Sequence, residues 1–259
     1  MRSLAAALLC AAGVVAACRP ATAPAPAAVP PALAGAEQII VVTTPGWDST
    51  TGVLHRFERA SPAAPWRATG APAPVVVGRT GLAWGVGFDA VDASEPGAAP
   101  HKREGDGRSP AGVFPLDTTF GFAPRDSMTW LRTPYAPLTP ESDCVDDTAS
   151  VHYNTVVPRN LVPRVDWASA EHMRRIDQYR IGVIVGYNAS PVVRGRGSCI
   201  FLHIWEGPRS TTAGCTAFDA TYLQQVMAWL DPRKRPALVQ LPAAQYARLR
   251  AHWGLPSFE

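Results

Sequence analysis

Short β-branched and aromatic runs, each cut off by glycine or proline, recur along this chain and leave its middle little choice but sheet. The run from Gln38 to Thr44 ends at Pro45-Gly46. Residues 52 to 60 alternate, with Val53, His55 and Phe57 set against Leu54, Arg56 and Glu58, the period of a hairpin partner. Residues 72–77 and 81–88 add further short strands, so the amino-terminal third reads as β. Tyr179 to Tyr187 and Ile200 to Trp205 are buried strands by the same criterion, and no repeat of fixed period is present.

Two stretches read as helix, and the tail is helix-friendly. Leu223, Val226, Met227 and Leu230 recur at helical spacing behind Asp219, a capping residue. Residues 165–176 follow, with Ser169 as cap candidate and Glu171 in the first turn. In the tail, residues 243–253 are helix-friendly, and Tyr246, Leu249 and Trp253 share a face suited to packing. Residues 120–150, rich in Pro, Asp, Ser and Thr, read as a long irregular excursion flanking the site. The expected architecture is a mainly β domain over residues 37–259 with one or two helices.

Chemistry concentrates between Gly197 and Phe218. His203 lies near the carboxyl end of the Ile200–Trp205 strand, Gly207-Pro208 breaks it, and a small polar turn delivers Cys215 to a point just before the Asp219 helix. At a helix amino terminus, unpaired N–H groups and the dipole favour a thiolate, and a nearby imidazole takes the proton. The backbone N–H groups of Gly214, Cys215 and Thr216 are the candidate donors to an oxyanion, which completes the kit for acyl transfer. The bland alternatives are a buried structural cysteine and a satisfied core histidine. Arg209, Thr212, Trp205 and His152 form the candidate substrate-binding set, with Arg194 and Arg196 as further flanking cations that are equally readable as solvated loop residues. His55, His101, His172 and His252 have no spacing that forces a role.

A second block, Lys102 to Phe114 (KREGDGRSPAGVF), is a loop in which Gly107, Pro110 and Gly112 set the backbone and Val113-Phe114 begin a strand. Lys102, Arg103, Glu104 and Asp106 either position a substrate or solvate the rim.

The His203–Cys215 segment resembles the active-site signature of the L,D-transpeptidase (YkuD-type) catalytic domain family. The Lys102–Phe114 block is similar to that family's Gly-Asp-Gly-x-Thr-Pro-x-Gly segment. Looser likeness in residues 143–147, Tyr153-Asn154 and residues 186–188 extends the resemblance over roughly residues 38–231. Ala213 stands where most members carry a second histidine, Ala217 stands where many carry arginine or asparagine, and the twelve-position step from His203 to Cys215 is short, which marks a divergent subgroup. The resemblance implies a β-sandwich with Cys215 as nucleophile and His203 as base. It implies a peptidoglycan stem tetrapeptide as donor, release of D-alanine, and an amine acceptor in a 3→3 crosslink. Water as acceptor would give a carboxypeptidase, endopeptidase or amidase on the same scaffold. A wall-binding module that has lost the reaction is the alternative from another class. No cofactor is called for, and a monomer is the expected state.

Arg2 and the apolar stretch from Leu4 to Ala17 have the form of a signal peptide, too short for a span of about 20 residues. Val15-Ala16-Ala17-Cys18 resembles a bacterial lipobox, so Cys18 is the candidate lipidation site that anchors the chain to a bilayer. Arg19 behind it points to the outer membrane, on the periplasmic side, with plain secretion to the periplasm as the alternative. Residues 18–36 read as a Pro/Ala-rich tether, able to reach roughly 55 Å at about 3.1 Å per residue. With Cys10 lost in the leader, Cys144 and Cys199 remain as a disulfide pair or as two buried thiols. A net charge of +3 with 17% charged residues excludes a nucleic-acid surface. With no CxxC or HExxH pair present, no metal site is expected.

Overall fold

The computed structural model describes residues 28–88 and 99–258; the leader, Cys18 and the first part of the tether lie outside the described residues. The fold is mainly β, a sandwich-like wrap of one large mixed sheet with three α-helices. At its centre β1 (Gln38–Thr44) is buried on both faces, as its continuous Ile-Ile-Val-Val run requires. It pairs antiparallel with β2 (Thr51–Glu58) and parallel with a strand from the far end of the chain, Ala237–Pro242.

Between these come β3 (Arg67–Ala68), β4 (Ala73–Val76), β5 (Leu82–Trp84), β6 (Ser109–Pro115), β7 (Thr118–Gly121) and β8 (Tyr135–Pro137). A separate three-stranded sheet follows, β9 (Ser142–Val145) between β10 (Val156–Pro158) and β11 (Ala170–His172). Then β12 (Ile181–Ile184), β13 (Phe201–Ile204) and β14 (Thr216–Phe218) return to the main sheet, which β15 (Ala237–Pro242) completes. The main-sheet order is β5-β6-β15-β1-β2-β4-β14-β13-β12-β7-β8, with β3 paired to β2.

The helices are α1 (Pro31–Ala34), α2 (Ala220–Trp229) and α3 (Ala243–Trp253). Asp219 caps α2 by accepting from the N–H groups of Thr221 and Tyr222 at 2.9 and 3.1 Å. Leu223, Val226 and Met227 face the core, and Leu230 closes the stripe. In α3, Tyr246, Leu249 and Trp253 are buried together, and Gly254 ends the helix at φ 63°.

Several expectations are corrected. Residues 165–176 form no α-helix: Glu171 lies in β11 opposite Cys144 of β9, and a 3-10 turn follows at Met173–Arg175. Ser169 caps nothing and instead donates to Asp146. Sheet pairing overrides local propensity there. Residues 120–150 contain β8 and β9 besides their turns. The tail contains β15 as well as a helix, and α helices number three among the described residues rather than one or two. The end of the tether packs on the domain, with Leu33 and Ala36 buried and the Arg59 guanidinium donating to the carbonyls of both. The expectation that residues 18–36 are all spacer therefore fails for residues 31–36.

Replacing Asp219 with alanine removes the cap of α2 at a site outside the cavity described below. The expected loss is about 1 kcal/mol of folding stability, read from urea denaturation at constant slope.

Candidate active site

Side chains alternate across β13, and this decides what reaches the site. Leu202 and Ile204 enter the main core, while Phe201 and His203 face a second, smaller cluster that holds Phe120, Tyr179, Cys199 and Cys215. Parallel pairing with β14 puts His203 opposite Ala217 and Leu202 opposite Thr216. Cys215, two residues before Ala217, therefore lies on the same face as His203, with Cα atoms about 8 Å apart from ordinary strand spacing. Both residues line one cavity of about 310 Å³.

Cys215 does not abut a helix, contrary to expectation, because the three residues of β14 stand between it and the Asp219 cap. What holds it is hydrogen bonding. The Cys215 carbonyl accepts from the hydroxyls of Thr212 at 2.6 Å and Ser109 at 2.8 Å, and Gly214 donates its N–H to Thr212 Oγ1 at 3.1 Å. Ser109 opens β6 in the second sequence block, so the two blocks meet at this carbonyl. The sulfur accepts from the Phe201 N–H at 3.3 Å and lies 3.4 Å from the Cys199 carbonyl, to which its S–H donates.

Burial pushes the Cys215 thiol far above its ordinary range, and the neighbouring Glu171 pushes the same way. The Phe201 N–H, the Tyr179 hydroxyl and the charge of Lys102 oppose these effects without overcoming them. The resting sulfur is a neutral thiol, not the helix-stabilised thiolate expected from sequence. Burial also depresses His203, to about 4. Its Nδ1 donates to the Ile204 carbonyl at 2.8 Å, so the neutral ring presents an unprotonated Nε2. Among the described residues, the hydrogen bonds of the two side chains run to other groups rather than to each other.

Tyr179, which stands in a 3-10 turn at Asp177–Tyr179, connects them. Its ring meets His203 edge-on at 5.2 Å and packs in the cluster that holds Cys215, and its hydroxyl donates to Glu171 Oε2 at 2.6 Å. Burial raises Glu171 to about 7, with Asp146 and Glu104 adding to the rise. No spacing in the sequence marks Glu171 or Tyr179. Glu171 reads as a helix first-turn acid and Tyr179 as the start of a strand, and only the pairing of β11 with β9 brings the first to the cavity.

Of the other expected residues, Trp205, Thr212, Gly214 and Ala213 line the cavity. Thr216 does not: it sits in the ladder with its hydroxyl on Gln240 at 2.6 Å, so with the Gly214 N–H held by Thr212, the Cys215 N–H is the donor left of the three. Arg209 is exposed on the loop and outside the cavity lining. His152 is also outside it, its ring edge-on to Trp167 at 5.5 Å. The Arg194 guanidinium donates to the carbonyls of Thr148 and Ser150. Lys102, Glu104 and Asp146 line the cavity and hold defined partners rather than solvating a rim. Lys102 is 2% exposed and pairs with Asp106 at 2.6 Å, while Glu104 accepts from Tyr153 and from Ser198. Cys144 and Cys199 are joined in a disulfide that ties β9 to the approach to β13. Among the described residues no three His, Cys, Asp or Glu side chains are grouped to hold a metal ion. No family model matches the chain, and no curated protein matches it.

The depressed His203 has a consequence for stability. The unfolded imidazole binds its proton near 6.5 and the folded one only near 4, so the contribution is present above pH 6.5 and lost as pH falls toward 4. His203→Gln should shrink that acid-side loss, measured as denaturation free energy at pH 7 and pH 5.

Proposed function

We propose that this chain is a cysteine-dependent L,D-transpeptidase acting on peptidoglycan stem peptides. The observation that carries the reading is the common cavity face of Cys215 and His203, a thiol and an imidazole that line one cavity, the imidazole with its Nδ1 proton held by the Ile204 carbonyl and Nε2 left as the base nitrogen. The sequence frame around both residues, which resembles that family's signature, supports the substrate class.

In this reading the stem tetrapeptide enters the cavity with the carbonyl of its meso-diaminopimelate to D-alanine bond over the sulfur. His203 Nε2 takes the thiol proton as Sγ attacks, so thiolate forms only as the C–S bond does. The Cys215 N–H donates to the developing oxyanion. Imidazolium then protonates the departing D-alanine nitrogen, the C–N bond breaks, and a thioester remains on Cys215. The acceptor amine gives a proton to His203 as it attacks, the C–S bond breaks, and the imidazolium returns that proton to the departing sulfur, leaving the crosslink and the thiol. Lipidation at Cys18 would hold this domain on the periplasmic side of the outer membrane, as a monomer on a tether shorter than the sequence suggests.

The test has two arms. Incubation with a carbapenem followed by intact-mass analysis should give a single adduct on the wild type and none on Cys215→Ala. Muropeptides from cells expressing wild type should gain 3→3 crosslinks that Cys215→Ala abolishes. Trimmed stems without crosslinks would assign water as the acceptor, and identical profiles with no adduct would leave a wall-binding module.

A further inference from the structure

The backbone that receives the Cys215 thiol proton belongs to no strand. β13 begins at Phe201, and residues 196–199 ahead of it are held one after another by side chains from elsewhere in the fold. The Tyr187 hydroxyl donates to the Arg196 carbonyl, Asn188 Nδ2 donates to the Gly197 carbonyl at 2.9 Å, and the Ser198 hydroxyl donates to Glu104 Oε2 at 2.7 Å. Cys199 is held twice. Its N–H donates to Asn154 Oδ1 at 3.0 Å, and its sulfur is bonded to Cys144 of β9.

Cys199 also has φ 54°, in the left-handed region that a cysteine does not favour. Asn154 sits at φ 62°, a conformation that asparagine tolerates, and its Nδ2 is anchored on the carbonyls of Tyr187 at 2.9 Å and Asn188 at 2.8 Å. Both ends of the carboxamide are therefore engaged, and its oxygen orients the Cys199 peptide. The turn at Cys199 brings its carbonyl to the nucleophile, where the Cys215 S–H donates to it at 3.4 Å. The Phe201 N–H donates to the same sulfur at 3.3 Å. One backbone acceptor and one backbone donor, two residues apart, thus form a cradle for Sγ.

Resting on the reading of Cys215 as nucleophile, we propose that Asn154, together with the Cys144–Cys199 disulfide, is a positioning residue that acts through the Cys199 carbonyl to hold the Cys215 sulfur in place for attack. Neither partner is redundant. The disulfide fixes the Cys199 side chain but leaves its peptide planes free to turn, and the Asn154 oxygen fixes the peptide that precedes the turn. The cradle settles the rotamer of Cys215 before substrate enters, which removes a search from the attack step. The thiol proton leaves the Cys199 carbonyl for His203 when attack begins, so the clamp sets where the sulfur lies and not where its proton ends.

Asn154→Gly removes the carboxamide and keeps a left-handed backbone without strain. The S–H stretching band of Cys215 reads the contact directly, because donation to a carbonyl lowers its frequency. It is isolated as the infrared difference between each chain and the same chain carrying Cys215→Ala. Wild type should show the hydrogen-bonded frequency, and Asn154→Gly and Cys144→Ala/Cys199→Ala should each move the band toward that of a free thiol. Asp219→Ala, which loosens the fold at α2, should leave it in place; an equal shift there would reduce the effect to general destabilisation and overturn the role. An unmoved band in Asn154→Gly would also overturn it, and so would a free-thiol frequency in wild type, whichever variants fold. Acylation by a carbapenem should slow about fivefold in Asn154→Gly at an unchanged half-saturating concentration, the factor for one lost hydrogen bond of about 1 kcal/mol. Weaker saturation at an unchanged maximal rate would assign Asn154 to ligand binding instead. The infrared band needs no acylation, so its failure is read separately from the absence of an adduct on the wild type.

Discussion

The parallel pairing of β14 with β13 commits this protein to its site. With His203 opposite Ala217, the two-residue period of each strand leaves Phe201, His203, Cys215 and Ala217 on one face and Leu202, Ile204 and Phe218 on the other. A one-residue slip would bury the imidazole among leucines and turn the sulfur away. The register is protected from both sides: Phe218 is completely buried in the main core, and the Cys215 carbonyl is pinned by two hydroxyls. Ala217 fits this arrangement because a long side chain there would fill the cavity that His203 and Cys215 share.

Much of this was legible in the chain, and the legible part has a common physical origin. Gln38–Thr44 and Phe201–Ile204 declare themselves because β-branched and aromatic side chains satisfy a strand locally, and Asp219 declares α2 because a cap acts within three residues. The errors arise where distant partners decide. Residues 170–172 pair with β9 and carry Glu171 inward, though their composition is helical. The strand at Ala237–Pro242 stays hidden behind a proline-rich turn until its parallel partner β1, nearly two hundred residues earlier, is in place. At the site the same division holds. Cys215 and His203 stand out by residue type in a turn-rich frame, whereas Tyr179 and Glu171 acquire meaning only through the sheet that assembles them. Arg209 and His152 were candidates by their neighbours in the chain, and in the fold Arg209 is exposed and His152 packs on Trp167, both outside the cavity lining.

A helix dipole beside the sulfur would have supplied a standing thiolate. The structure places a strand there instead, and burial dominates: it favours the neutral thiol and the neutral imidazole in the cavity they share. A neutral pair is compatible with acyl transfer when proton transfer and attack occur together, because no separate ionised sulfur then has to be formed in the buried site. It also leaves the resting sulfur protonated and thus less open to oxidation.

Keeping titratable groups dry at a site has opposite effects on the fold at different pH. His203, depressed to about 4, contributes stability above pH 6.5 that is lost as pH falls. Glu171, raised to about 7 from an unfolded value near 4.5, contributes in the reverse sense, its stability present below 4.5 and lost as pH rises to 7. Between about pH 4.5 and 6.5 the two slopes oppose each other, so the folded state varies less with acidity than either group alone would dictate. Above 7 both groups have finished titrating, and the cost of an ionised Glu171 in a partly desolvated setting remains. The Tyr179 hydroxyl, 2.6 Å from Glu171 Oε2, is the contact that offsets part of that cost, so the tyrosine and the half-buried acid belong together.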